Sequence, residues 1–355
     1  SDTYFIDDER DTINDTGTSG TDIVYFRYLS KKYELGEGIE KVVLPSDMSS
    51  NDLTIKGNDS NNNITSGEGN DTVATGKGND TINTAAGNDK VNASAGNDLI
   101  ISGLGDDTYD GGSGVDTLKY TSATAGISID LKRGTATSIG GEDKAKIGTD
   151  VIVNVENLIG GYHSDRLTGT NERNKIRAMS GNDWIYGGTG NDIINGGLGR
   201  DTAQFSSRKN HINLNINRWQ NTGDGRDRLI SIENIHAGPG NDIVIGNSLS
   251  NRLHGQAGND RFYGGSGNDF LIGGSGRDHL WGQGGRDTFR IQRGTGYDVI
   301  KDFSNGEDRI QLGSGRKGIR LKTRGDDVLV YQNRDLMAIV EDSAGDLVQR
   351  GNFLI

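Results

Sequence analysis

The sequence predicts an all-β fold, a right-handed parallel β solenoid, and three observations predict it. A nine-residue unit recurs without a gap over residues 66–119. Each copy carries one apolar residue at its eighth place: Val73, Ile82, Val91, Ile100, Tyr109 and Leu118. Each also carries glycine at its fourth place and aspartate at its sixth. One buried side chain per unit makes no core until further units stack on it, which is the logic of a repeat array. The three residues after the aspartate read as a short strand with its middle side chain inward, and glycine lets the chain turn between strands. Two units close one coil of about eighteen residues, so residues one coil apart lie above each other at about 4.8 Å.

The pattern divides the chain into seven segments. Residues 1–56 lack the nonapeptide but hold strand-like stretches at 3–7, 22–26 and 40–44, read as lead-in coils that form an N-terminal β cap on the first run. The first run covers 57–119, the second 160–205 and the third 237–291. Between them lie two irregular β spacers. That at 120–159 alternates apolar and polar residues over 126–131 and 150–158, and that at 206–236 does so over 211–216 and 227–235. In both spacers an aspartate precedes a glutamate by six residues, Asp150 with Glu156 and Asp227 with Glu233. Residues 292–355 read as an antiparallel β cap, with strands at 320–323, 327–332 and 336–341.

Stacking sets the chemistry. In the first run Asp71, Asp89 and Asp107 fall in one column and Asp80, Asp98 and Asp116 in another. The second run supplies Asp165, Asp183, Asp192 and Asp201, and the third Asp242, Asp260, Asp269, Asp278 and Asp287. Two carboxylates about 5 Å apart repel by roughly 3 kcal/mol even at an effective dielectric of 20, so bare columns oppose folding and a cation belongs between them. Carboxylates and the carbonyls of glycine turns are hard oxygen donors, which select Ca²⁺ over Zn²⁺ or copper. The candidate turn glycines are Gly67, Gly69, Gly76, Gly78, Gly87, Gly96, Gly103 and Gly105 in the first run. Gly188 and Gly190 serve the second, and Gly265, Gly267, Gly274 and Gly276 the third. The stacked pairs are 71/89, 80/98, 89/107, 98/116, 165/183, 183/201, 242/260, 260/278 and 269/287, which predicts about nine Ca²⁺ ions. Asn62, Asn174 and Asn251 stand where the phase places aspartate. An amide there predicts hydrogen bonding and little metal affinity, and Asp192, with Asn174 as its partner one coil away, is expected to hold calcium weakly.

Unit after unit of the form Ser66-Gly67-Glu68-Gly69-Asn70-Asp71-Thr72-Val73-Ala74 resembles the RTX, or haemolysin-type calcium-binding, nonapeptide. The resemblance extends over nearly the whole chain, and residues 297–312 resemble the closing segment that follows such repeats. It implies a parallel β-roll, folding on Ca²⁺ after secretion, and a place outside the cell or on its surface. It also implies a type I exporter as partner, read through an uncleaved C-terminal signal. For the apolar end at 352–355, an export signal and a last cap strand are both open readings. Two functions are compatible with the resemblance. One is a non-catalytic structural, secretion or adhesive segment. The other is an accessory module, for folding or for binding extracellular polysaccharide, of a larger secreted enzyme such as a protease, lipase or alginate epimerase.

Composition agrees. Net charge is −12 over 355 residues with 56 glycines and no cysteine, which argues for a cation partner, against nucleic acid, and against a disulfide scaffold. No apolar run is long enough to span a membrane. Residue 1 is Ser, and no signal peptide is visible, so a fragment without its natural start is expected. No catalytic motif is found: there is no P-loop, no H-E-x-x-H, no G-x-S-x-G and no cysteine nucleophile. A polysaccharide lyase on a parallel helix needs carboxylates and basic residues on its strands, whereas here the acids sit in turns. The histidines at 163, 211, 236, 254 and 279 read as isolated surface or turn residues. Trp184 and Trp281 read as rim of the core ahead of sugar-stacking platforms, and the basic stretch 316–324 as a solvated strand face.

Overall fold

Each aspartate is followed by a three-residue strand whose central apolar side chain turns inward. The computed structural model describes residues 1–7, 13, 20–26, 32–44, 50–140, 142–206, 209–292, 296–313, 317–345 and 347–355. Among these the chain is built of strands and turns, and no helix is long and apolar enough to cross a membrane. Arg316, at the head of the basic stretch, lies outside the described residues. The architecture is a parallel β solenoid, and the chain separates into two compact units, Ser1–Asp183 and Trp184–Ile355.

In the first unit one sheet stacks Thr3–Ile6, Ile23–Phe26, Lys41–Val43, Asn63–Thr65, Thr81–Asn83, Leu99–Ile101, Thr117–Lys119, Asn157–Ile159 and Lys175–Arg177, all parallel. A second stacks Lys32–Glu34, Thr54–Lys56, Thr72–Lys77, Lys90–Gly96, Thr108–Asp110 and Thr149–Val153. The register is the predicted one: Val73 lies on Val91 and Ile82 on Ile100. All six eighth-place residues of the first run are buried, none more than 3% exposed. Each such side chain contributes roughly 1.5–3 kcal/mol of burial, and the sum accrues only because coils share it.

The first spacer is folded into the second sheet. The antiparallel strands Ile127–Asp130 and Thr135–Ser138 lie between Thr149–Val153 and Arg166–Thr168, so the insertion widens the sheet without ending it. Within the spacers two further units keep the nine-residue phase. Residues 145–153 place Asp150 sixth and Ile152 eighth, with Lys146 at φ 60° where glycine is usual and Gly148 at φ 64°. Residues 222–230 do the same with Gly223, Gly225, Asp227 and Leu229.

In the second unit, one sheet runs Trp184–Tyr186, Thr202–Gln204, Asn234–His236, Arg252–Ala257, Phe270–Ser275, Thr288–Ile291 and Arg309–Leu312 in parallel. Another runs His211–Asn213, Ile243–Ile245, Arg261–Ser266, His279–Gly284 and Asp298–Ile300. The second continues into the cap, where Asp335–Val340, Asp327–Gln332 and Ile319–Arg324 form the expected antiparallel strands. Phe353–Leu354 pairs antiparallel with Arg309–Leu312, so the apolar chain end is a strand here.

Candidate metal centre

Stacking places the sixth-place aspartates one above another, and a hydrogen-bond ladder fixes them there. The Asp71 N–H donates to Asp89 Oδ1 (2.7 Å), Asp80 to Asp98 (2.7 Å), Asp89 to Asp107 (2.8 Å) and Asp98 to Asp116 (2.8 Å). The same bond joins 165 to 183 (2.7 Å), and 242 to 260, 260 to 278 and 269 to 287 (2.8 Å each). The last predicted pair, Asp183 with Asp201, has one residue in each unit.

The ladder uses one oxygen of each carboxylate. Among the described residues the second oxygen of Asp98, Asp116, Asp242, Asp260, Asp269 and Asp287 is buried with no hydrogen-bond donor, while side-chain groups of Ser66, Thr75, Thr84 and Asp298 approach Asp71, Asp80, Asp89 and Asp278. Leaving such a group unsatisfied costs about 1–3 kcal/mol, more when it is charged. Burial pushes Asp89 and Asp269 up to about 7 and Asp260 up to about 8. A carboxylate that resists ionisation in this way requires either a proton or a cation.

Backbone carbonyls lie beside the free carboxylate oxygens: a side-chain carbon added at Gly255 would lie 2.0 Å from Asp260 Oδ2 and 2.5 Å from the Gly273 oxygen, and one at Gly264 2.3 Å from Asp269 Oδ2 and 2.7 Å from the Gly282 oxygen. Turns one coil apart also approach closely. A side-chain carbon added at Gly96 would lie 1.6 Å from the Gly78 oxygen, one at Gly276 1.6 Å from the Gly258 oxygen, and one at Gly76 2.5 Å from the Asn58 oxygen. These glycines have φ of 149°, 131° and 136°, so positive φ and close approach both exclude a side chain. Among the described residues no three His or carboxylate side chains converge on one point. Carboxylate oxygen beside carbonyl oxygen, as at Gly255 and Gly264, is a donor set that fits a hard divalent cation.

Comparison with known families decides the matter. The RTX calcium-binding nonapeptide repeat, in its four-copy form, matches residues 54–82, 83–118, 159–192, 168–203, 236–271 and 263–300. The chain is an RTX repeat protein. Its repeats are of the calcium-binding kind. Among solved structures the RTX chain is similar to the extracellular lipase LipA from Serratia marcescens, at 18% identity and a TM-score of 0.28. The alignment takes in 93% of this chain and 44% of the lipase chain, so the RTX chain spans less than half the length of that protein. No curated protein matches it.

Not every RTX turn leaves its carboxylate open. Tyr109 donates its hydroxyl to Asp107 Oδ2 (2.5 Å) and accepts the Gly103 N–H (3.0 Å), and Tyr120 donates to Asp150 Oδ2 (2.6 Å). Asp165 Oδ2 accepts the Gly161 N–H (2.8 Å), and Asp227 Oδ2 accepts the Thr222 hydroxyl. The three asparagines close their own turns as expected. Their Oδ1 atoms accept the N–H groups of Asn58 (2.9 Å), Thr170 (2.7 Å) and Asn247 (2.7 Å). Replacing Tyr109 with Phe leaves the Asp107 oxygen without a donor in a fully buried position. Tyr109→Phe is expected to destabilise the folded chain by about 1–3 kcal/mol, read as a lower midpoint of thermal unfolding in calcium.

The structure also corrects the sequence reading at several places. Asp192 does not depend on Asn174 for a partner, because its N–H donates to Asp227 Oδ1 (2.8 Å), an acid 35 residues away. The columns likewise continue from Asp107 to Asp150 (3.0 Å), Asp116 to Glu156 (2.8 Å), Asp201 to Glu233 (2.8 Å) and Asp287 to Asp308 (2.8 Å). Asp298 is buried beside Asp278 and Asp260, and burial first, then these like charges, pushes it far above the usual carboxylate range. The paired spacing of aspartate and glutamate in the two spacers was the available signal. Insertions separate these partners by 21 to 43 residues in place of 18, which hid the stacking.

The histidines are not all isolated: His236 Nε2 and His254 Nδ1 are 2.9 Å apart on neighbouring strands. Trp184 and Trp281 are not core rim. They lie beside inward Ile185 and Leu280, on the outer face, where Trp184 bonds Gln204 (2.6 Å) and Trp281 stacks on Tyr263.

Proposed function

We propose that the chain is a secreted RTX module that folds as its aspartate turns take up calcium outside the cell. The ligands proposed are the sixth-place aspartates, from Asp71 to Asp116, from Asp165 to Asp201 and from Asp242 to Asp287, with carbonyls of the neighbouring turn glycines; Asp107 and Asp165 contribute less, because the Tyr109 hydroxyl and the Gly161 N–H already occupy their second oxygens. Six buried carboxylate oxygens without a donor among the described residues carry this reading. Calcium, when bound, supplies the positive charge that these columns otherwise lack. The chain's own part is to hold the oxygens in register, one from each carboxylate fixed by a backbone N–H and, Asp107 and Asp165 apart, the other left to face the gap. Lead-in coils and the C-terminal strands cover the ends of the stack.

Micromolar calcium inside a cell leaves weak, extracellular-type sites empty, and millimolar calcium outside fills them. Binding free energy then becomes folding free energy. This order of events suits a chain that passes a type I exporter unfolded. Far-ultraviolet circular dichroism at neutral pH tests it directly: a β spectrum in millimolar calcium and a largely unfolded one in EGTA are expected. An unchanged β spectrum in EGTA refutes the reading. Calorimetric titration of the same samples tests the predicted stoichiometry of about nine ions.

A further inference from the structure

Strands Asn234–His236 and Arg252–Ala257 are parallel neighbours, with Ile235 on Leu253 and His236 on His254. Ile235 and Leu253 are fully buried, so the two half-buried imidazoles stand one above the other on the outer face. His236 Nε2 and His254 Nδ1 face each other at 2.9 Å, with the ring planes 87° apart. From two strands away in the other direction, the Trp184 ring packs against His236 with centroids 4.7 Å apart, and its Nε1–H donates to Gln204 Oε1 (2.6 Å). The Gln256 side-chain amide lies 3.2 Å from His236 Nδ1, the nitrogen that does not face His254.

We propose that His236 and His254 together bind one late transition-metal ion, Cu²⁺, through their facing nitrogens. Two ligands about 2.0–2.1 Å from one ion stand about 2.9 Å apart when they subtend a right angle, and about 3.3 Å apart at the tetrahedral angle. The observed 2.9 Å fits the right angle, which is the tetragonal geometry of Cu²⁺ and not the tetrahedral one of Zn²⁺. In the metal-free pair one facing nitrogen carries a hydrogen and donates it to the other. The second torsion of a histidine side chain is soft, so small ring rotations turn both lone pairs to a common point. With the Gln256 carbonyl oxygen turned to His236 Nδ1, that nitrogen keeps its N–H and Nε2 is left free to ligate.

Protons compete little for this pair. Burial, then the charge of Arg252, holds the His236 imidazole below its usual range, and burial, then His236, Arg252 and Arg290, holds His254 down at about 4. Both rings are therefore neutral at neutral pH. The same arginines repel any cation, so only an ion with a strong preference for imidazole overcomes them. Ca²⁺ takes oxygen ligands and stays in the turns, whereas Cu²⁺ stands at the top of the affinity order for nitrogen sites. Solvent completes the coordination, since among the described residues no third histidine and no carboxylate joins the pair.

The test uses the whole chain without an affinity tag, in millimolar calcium so that the aspartate turns are already served, and titrates it with Cu²⁺. Trp184 reports directly, because Cu²⁺ quenches an indole packed on its ligand. Expected are uptake of one ion at micromolar concentration by calorimetry, quenching that tracks it, and an electron paramagnetic resonance spectrum of tetragonal Cu²⁺ with two imidazole nitrogens. Affinity is expected to fall about tenfold or more in His236→Ala and in His254→Gln, and to be about tenfold weaker for Zn²⁺ than for Cu²⁺ in the parent chain. His254→Gln keeps an amide to pair with His236, and its β spectrum is expected to match the parent's. Trp184→Phe is expected to lose the quenching and keep the calorimetric signal. Uptake unchanged in both histidine variants, quenching that persists in Trp184→Phe, or a parent spectrum without two imidazole nitrogens overturns the proposal, and the last of these needs no variant to fold.

Discussion

Metal-stripped protein is expected to regain β structure as the pH is lowered from about 8 towards 5, and calcium-loaded protein to lose stability over the same range. The two slopes have opposite sign. In the metal-free fold, burial first and then the neighbouring carboxylates raise Asp89 and Asp269 to about 7 and Asp260 to about 8 from an ordinary value of 3.8. Burial also raises Asp98, Asp116, Asp242 and Asp287 to about 6. A carboxyl with a raised folded value binds its proton more tightly in the folded than in the unfolded chain. Its stabilisation is fully present below about 4 and is lost as the pH climbs through 6 to 8. Each such shift opposes the metal-free fold above the raised value, and the groups all act in the same direction. With calcium present the ligands must be ionised, so acid displaces the ion. Ellipticity near 218 nm against pH, after metal removal on a chelating resin, is the measurement. A metal-free chain equally unfolded at both ends of the range contradicts the proton-for-cation exchange.

Gly276→Ala is expected to abolish calcium-dependent folding of the third run, whereas Gly306→Ala costs about 1 kcal/mol. Both glycines have positive φ, 131° and 83°. The difference is space. A side-chain carbon at Gly276 would stand 1.6 Å from the Gly258 carbonyl oxygen, while one at Gly306 meets nothing within 4 Å. Relief of the first clash requires neighbouring coils to part, and parting them breaks the ladder bond from Asp260 to Asp278 (2.8 Å). The calcium midpoint of folding, followed by tryptophan fluorescence, separates the two. Equal midpoints for both variants rule out close coil contact as the reason for glycine at that place.

Where nine residues separate successive aspartates, the sequence discloses nearly everything. Val73, Ile82, Val91, Ile100, Tyr109 and Leu118 are all buried, and the aspartates stack in the columns their spacing requires. What it concealed follows from two causes. Insertions such as the hairpin Ile127–Asp130 and Thr135–Ser138 place spatial neighbours far apart in sequence, so Asp150 did not declare itself as the partner of Asp107. Lys146 adopts positive φ, 60°, at a second place where glycine is usual. Side-chain closure was equally out of reach, since nothing in the phase distinguishes Asp107, capped by a phenol, from Asp89, which is not.

The capped turns have a consequence for folding fidelity. Identical rungs allow one coil to dock a full turn out of place, with aspartate still above aspartate and apolar above apolar, at little energetic penalty. Tyr109 over Asp107, Tyr120 over Asp150 and the asparagines at 62, 174 and 251 each fit one level and no other. They act as landmarks in an otherwise periodic stack, and a chain stripped of them would assemble into a mixture of slipped frames with much the same calcium content.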